Sequence, residues 1–199
     1  MFTRQQINTA IRFPEFLLLN QSLLLEGKTT GLTQTEEYVE FGRLNITRMQ
    51  RLMKTVVLNG ELRDILSRLS IPHTLIIITE GWCGDSAQIV PVLEHMRLAC
   101  PFLDVVFLIR DENPQVMDQF LTNGARSIPK VVCVETTSLD IKWEWGPRPS
   151  ELQSAVKALL AQQVTHAEKS VFVQNWYNQN KTQAIQSEIM RLVQTLLSC

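Results

Sequence analysis

One cysteine, placed where a strand-like run gives way to a helix-like segment, constrains the fold of this chain most. Residues 74–79 (TLIIIT) are apolar and mostly β-branched, which predicts a strand buried on both faces. The turn 79–86 (TEGWCGDS) follows, and residues 87–98 predict a helix. Cys83 would then begin that helix, where backbone N–H groups and the helix dipole lower a thiol pKa from about 8.5. A redox pair needs a second cysteine three positions on, and Ser86 stands there.

The segments after this turn predict an α/β fold with a mixed sheet. A strand, a helix and another buried strand imply a right-handed parallel crossover. Two alternating runs separated by residues 136–139 predict an antiparallel hairpin. The further elements are strands at 104–109, 130–135 and 140–145 and helices at 114–121 and about 150–162.

Helix-like sequence flanks this central region on both sides. We expect three parts: a helical N-terminal extension at 1–61, an α/β domain at 62–163 and a helical C-terminal extension at 164–199. The apolar stretch 16–25 is interrupted by Asn20 and is about half the roughly 20 residues that a membrane-spanning helix needs.

Net charge and cysteine spacing limit the classes of partner, metal site and compartment to be expected. The net charge of −1 gives no electrostatic reason to expect nucleic acid or an anionic membrane surface. The cysteines are too far apart for metal-ligand spacing, and a reducing compartment is the simpler interpretation. We therefore expect a cytoplasmic protein without a metal or cofactor, in which Cys100 and Cys133 are small buried side chains and Cys199 lies at a frayed terminus.

The order of elements, together with three further motifs, resembles the thioredoxin fold. Pro91 lies where thioredoxins kink the helix after the reactive cysteine, residues 127–129 (SIP) resemble the cis-proline loop, and residues 111–114 (DENP) resemble an acidic turn. The resemblance covers about 62–163 and implies a three-layer α/β/α sandwich. A bacterial thioredoxin-like subgroup is similar in the phrases at 80–85, 110–113, 121–124, 126–130 and 145–149.

The resemblance implies a set of site residues. It implies a cis peptide between Ile128 and Pro129, in a loop that offers backbone groups to an extended peptide. Ile77 replaces the buried acid that thioredoxins carry before the reactive cysteine. With Ser86 in place of the second cysteine, the chain lacks both the resolving thiol and its proton acceptor, so the dithiol cycle is lost. Glu80 is expected to be a solvated residue at a strand end. Arg126 and Arg110 are candidate partners for an anion or thiolate. The predicted residues are Cys83 and Ser86 for catalysis and Trp82, Gly84, Asp85, Arg126, Ile128 and Pro129 for substrate binding.

Three functions fit this sequence, and whether the protein is an enzyme stays open. Cys83 could perform monothiol exchange with protein thiols or disulfides, with an external low-molecular-weight thiol as resolving agent. Alternatively, the protein is a non-catalytic protein- or peptide-binding module whose helical extensions form a cap or a homodimer surface. Residues 83–86 (CGDS) also resemble the turn of monothiol glutaredoxins, which bind glutathione and an iron–sulfur cluster. The glycines that grip glutathione in that family are replaced by residues 145–149.

Overall fold

A four-stranded mixed sheet lies at the centre of the molecule, which a computed structural model describes over residues 2–198. The strands are β1 (His73–Thr79), β2 (Leu103–Ile109), β3 (Lys130–Glu135) and β4 (Ile141–Trp145). Their order in the sheet is β2-β1-β3-β4; β1 and β2 are parallel, and the other two pairs are antiparallel. This arrangement confirms the predicted crossover and hairpin.

Helices precede, interleave and follow these strands. The predicted strands and helices are confirmed to within a few residues, except that the helix expected at 114–121 spans a single turn. The helices are α1 (Arg4–Thr9), α2 (Phe13–Leu25), α3 (Glu36–Thr55), α4 (Gly60–Ser67), α5 (Gly84–Ala99), α6 (Pro114–Met117), α7 (Ser150–Leu160), α8 (His166–Asn180) and α9 (Gln183–Thr195). None of the helices between residues 2 and 198 combines the length and apolarity that crossing a membrane requires.

Both faces of the sheet are buried, because successive side chains of a strand point to opposite sides. On one face Leu75 and Ile77 pack with side chains of α5, α7 and α9. On the other face Ile76 and Ile78 pack with side chains that include Met117 of α6. The layers confirm the predicted thioredoxin-like α/β/α architecture.

The helical extensions share the core of the sheet. Phe16 of α2 stacks on Phe107 of β2 with ring centroids 4.8 Å apart, and Ile189 of α9 joins the same cluster. The Phe107 amide also donates a hydrogen bond of 2.8 Å to the Ile11 carbonyl, so the N-terminal segment covers part of the β2 edge. Cys100 and Cys133 are buried free thiols, as predicted, whereas Cys199 lies outside the described residues.

Candidate functional site: a covered cleft above Cys83

Cys83 caps the N-terminus of α5 and faces the loop between α6 and β3. Its thiol donates a hydrogen bond of 3.3 Å to the carbonyl of Ile128. The peptide between Ile128 and Pro129 is cis, and Pro91 lies inside α5, as the motifs predict. The cysteine turn and the proline loop are therefore neighbours in the fold, although 45 residues separate Cys83 from Ile128.

The expected activation of the Cys83 thiol is wrong, because burial raises its pKa. The residue is 5 % exposed. Loss of solvent, together with the negative charge of Asp85, raises the Cys83 pKa to about 11, against the smaller lowering effects of Ser86 and Arg148. Position at a helix N-terminus therefore does not decide the protonation state here, and the resting group is a neutral thiol.

Ser86 occupies the place of a resolving cysteine and is fully buried. Its hydroxyl is paired with the hydroxyl of Thr79 at 2.5 Å, at the end of β1. Ile77, at the position of the missing acid, is equally buried in the apolar core. Ser86 is thus tightly packed, and the apolar side chain of Ile77 cannot accept a proton.

Asp85 belongs to a buried polar cluster that joins the cysteine turn to α8. Arg148 Nη2 lies 2.5 Å from Asp85 Oδ2, and Arg148 Nη1 donates to Gln153 at 3.3 Å. The Tyr177 hydroxyl donates to Asp85 Oδ1 at 2.7 Å. Burial raises the pKa of Tyr177 well above its usual value, so the phenol keeps its proton. Asp85, predicted as a substrate-binding residue, is therefore fully engaged with protein groups.

The N-terminal extension holds the turn from the other side, at Gly81. The Gly81 amide donates to Thr30 Oγ1 at 2.7 Å, and its carbonyl accepts from Asn45 Nδ2 at 3.1 Å. A Cβ on Gly81 would lie 1.5 Å from Asn20 Oδ1, so a side chain here would force the buried Asn20 side chain to move. Asn20, the residue that interrupts the leucine-rich stretch, thus packs directly against the cysteine turn.

Glu80 is buried, which corrects the expectation of a solvated side chain. It is fully shielded from solvent. Its Oε1 accepts a hydrogen bond of 2.9 Å from the Asp111 amide. Burial raises the Glu80 pKa, with a smaller opposing effect of a Thr30 hydrogen bond. The loop between α2 and α3 covers this carboxyl, a long-range contact that no local sequence pattern predicts.

The predicted arginines lie near the turn but are already paired. Arg126 forms a bidentate ion pair with Asp118 on the surface, and both nitrogen–oxygen distances are 2.7 Å. Arg110 donates to Asp111 at 2.7 Å, and its guanidinium lies 5.1 Å from the ring centroid of Trp82. Trp82 packs edge-on against Tyr38, which contacts Phe41, and these three rings form an aromatic wall of the cleft beside Cys83.

A cleft of about 670 Å³ lies above Cys83, between the extensions and the cysteine turn. α3 forms one wall and α8 the other, while Cys83, Gly84 and Ile128 contribute to the floor. His166 of α8 bridges the two walls, since its Nδ1 lies 3.5 Å from a Glu37 carboxylate oxygen of α3. The structure therefore brings six of the predicted residues into one cleft: Trp82, Cys83, Gly84, Asp85, Arg126 and Ile128. Ser86 and Pro129 do not line it, and the helical extensions form its walls.

A family model described as thioredoxin matches residues 31–169. The chain belongs to this thioredoxin family. Among solved structures, this chain is similar over nearly its whole length to a Pseudomonas aeruginosa protein of unknown function. The two share 15 % identity at a TM-score of 0.65, over 98 % of this chain and 99 % of that one. An HIV epitope-scaffold matches over the same shares, with 12 % identity and a TM-score of 0.65. No curated protein matches significantly.

The likeness to the solved structures extends beyond the thioredoxin sheet to the helical extensions, and it shows the fold alone. The site residues missed in the sequence are Arg148, just before α7, and those that the extensions contribute: Asn20, Thr30 and Asn45 before the sheet and Tyr177 after it. A polar residue inside an apolar helical stretch, such as Asn20, is the signal that could have found them.

Proposed function

We propose that this thioredoxin-family protein binds a small ligand in its covered cleft and does not run a dithiol redox cycle. The single observation that supports the proposal is the position of Cys83, whose thiol is buried, neutral and bonded to Ile128 beneath a cleft of about 670 Å³. Clefts that hold small molecules typically enclose about 300–1,000 Å³. The cleft therefore suits a small molecule or the tip of a peptide better than a folded partner.

The protonation of Cys83 argues against efficient exchange in the resting state. With a pKa of about 11, roughly one thiol in ten thousand is ionised at neutral pH, against about three in a hundred for a free cysteine. The greater nucleophilicity of a more basic thiolate recovers only about tenfold of this deficit. The remaining deficit, together with the limited exposure of the sulfur, favours binding over catalysis.

Monothiol exchange is the second candidate, and two contacts of Cys83 favour it. Hydrogen bonding from Ser86 and the positive charge of Arg148 both act to lower the Cys83 pKa. If a bound ligand strengthened these effects, the Cys83 thiolate would attack a low-molecular-weight disulfide. A mixed disulfide would form, the second half would leave as a thiolate, and an external thiol would resolve the mixed disulfide. Trapping of that mixed disulfide should then disappear in Cys83→Ala.

Binding in the cleft can be tested with an uncharged fluorescent probe, N-phenyl-1-naphthylamine. Gly84 lines the cleft, and a Cβ added there would meet no atom within 4 Å, so Gly84→Phe places a ring in open space above the thiol. Gly60 is the matched control, since it also begins a helix and lies outside the cleft. A Cβ added at Gly60 would likewise meet no atom within 4 Å.

We expect saturable probe binding to the wild type and to Gly60→Phe, and a loss of at least about tenfold in affinity for Gly84→Phe. Absence of probe binding to the wild type, or equal binding by both variants, would contradict a ligand-binding cleft. Circular dichroism establishes that both variants are folded.

A further inference from the structure

Arg48 projects from α3 into the cleft and is held there by a neutral side chain. Its Nη1 donates a hydrogen bond of 3.1 Å to Asn45 Oδ1. Asn45 is 1 % exposed and uses its amide nitrogen to bond the Gly81 carbonyl. Arg48 is therefore oriented by a buried amide that is itself anchored to the cysteine turn.

Arg48 differs from the other arginines of the cleft because no carboxylate accompanies it. Within residues 2–198 it forms no ion pair, and its one side-chain hydrogen bond is to an uncharged oxygen. Each of the other three has an acidic partner: Arg110 with Asp111, Arg126 with Asp118 and Arg148 with Asp85. A cation that is held in place but left without a counter-charge costs free energy, and such groups concentrate at binding sites.

The surroundings of Arg48 increase this cost. Half-burial of the guanidinium is the main cause that lowers the Arg48 pKa, and the neighbouring charge of Arg51 adds to it. The cleft walls beside it carry apolar side chains, including Phe41 and Leu44 of α3 and Val173 of α8. An anion that entered the cleft would relieve the repulsion and meet a partly desolvated cation, where charge–charge attraction is stronger than in water. Lys169 of α8 also lines the cleft without an ion pair among the described residues, and no side-chain hydrogen bond orients it.

We infer that Arg48 is the anion-binding residue of the cleft and that the ligand is a small organic anion. A carboxylate, phosphate or sulfonate group would bond the guanidinium, and an apolar body would pack against the aromatic wall above Cys83. Arginine suits this role because its planar fork can bond two oxygens of such a group. This inference rests on the proposed binding function and specifies the ligand class for the same cleft.

Two probes that differ in one anionic group test this inference. 8-Anilinonaphthalene-1-sulfonate carries a sulfonate that N-phenyl-1-naphthylamine lacks, and both report binding by fluorescence. Arg48→Gln removes the charge and keeps polar atoms near Asn45. Lys54→Gln is the matched control, since Lys54 carries the same charge on the same helix and does not line this cleft.

We expect Arg48→Gln to weaken binding of the sulfonate probe by roughly tenfold to a hundredfold, the range for a hydrogen bond to a charged group. Binding of the uncharged probe should change by less than about twofold, and Lys54→Gln should alter neither affinity by more than that. An equal effect of Arg48→Gln on both probes, or none on either, would overturn the anion assignment while the binding function stands. If the uncharged probe fails to bind the wild type, the proposed function itself fails.

Discussion

The chain has two tyrosines, and only one has a hydroxyl bonded to a buried carboxylate. Tyr177, 4 % exposed, donates to Asp85 across the interface between α8 and the cysteine turn. Tyr38 packs edge-on against Trp82, and its hydroxyl makes no hydrogen bond within residues 2–198. Tyr177→Phe therefore removes one hydrogen bond while retaining the ring, and Tyr38→Phe is a matched control.

The expected loss follows from the charge of the acceptor. A hydrogen bond to a charged group contributes about 1.5–3 kcal/mol to stability. Asp85 keeps its ion pair with Arg148 in the variant, so the carboxylate is not left alone. We therefore expect Tyr177→Phe to lower the free energy of unfolding by about 2 kcal/mol, and Tyr38→Phe to change it by less than about 0.5 kcal/mol.

Urea unfolding followed by circular dichroism measures both values. The midpoint should fall for Tyr177→Phe, while the slope of free energy against urea stays unchanged, because the surface exposed on unfolding is the same. Equal midpoints for the two variants would refute the reasoning, since the hydrogen bond between Tyr177 and Asp85 would then contribute no stability.

Three further predictions address the charges and packing of the turn. Asp85→Asn should lower the Cys83 pKa, because it removes a negative neighbour. Alkylation of Cys83 at neutral pH should then speed up by roughly threefold per unit of pKa, since the less basic thiolate is also less nucleophilic. Gly81→Ala should destabilise the fold by about 1–3 kcal/mol or more in urea unfolding, whereas Gly84→Ala, with open space at Cβ, should not. Burial raises the Glu80 pKa above 4.5, so folding favours the protonated acid and loses stability as the pH rises through that pKa. The unfolding free energy of Glu80→Gln should therefore increase relative to the wild type above pH 4.5, and a constant difference across pH would contradict this.

Local patterns account for the parts of the fold that the sequence predicts well. The β-branched run of β1 has a strong preference for a buried strand, and Cys83, Pro91 and Pro129 stand at spacings that a single fold family combines. Their positions in the structure agree because each is determined by the sheet and its adjoining loops.

The chemistry of the site depends on contacts between distant segments, which local patterns do not contain. The helix dipole favours a Cys83 thiolate, but packing against the sheet and the Ile128 loop buries the thiol, and the loss of solvent has the larger effect. Glu80 is buried for a related reason, since the loop before α3 closes over the end of β1. The hydrogen bond between Tyr177 and Asp85 joins residues 92 positions apart. No spacing rule connects such residues.

The most direct test of the account is a pH titration of the Cys83 thiolate. Ultraviolet difference absorbance between the wild type and Cys83→Ala isolates this thiol from the remaining cysteines. We expect no ionisation of Cys83 through the range of an ordinary thiol, about 8.5, and an onset only as the pH approaches 11. A midpoint below about 8.5 would show an activated thiolate, contradict the neutral-thiol binding site and restore monothiol exchange as the better explanation.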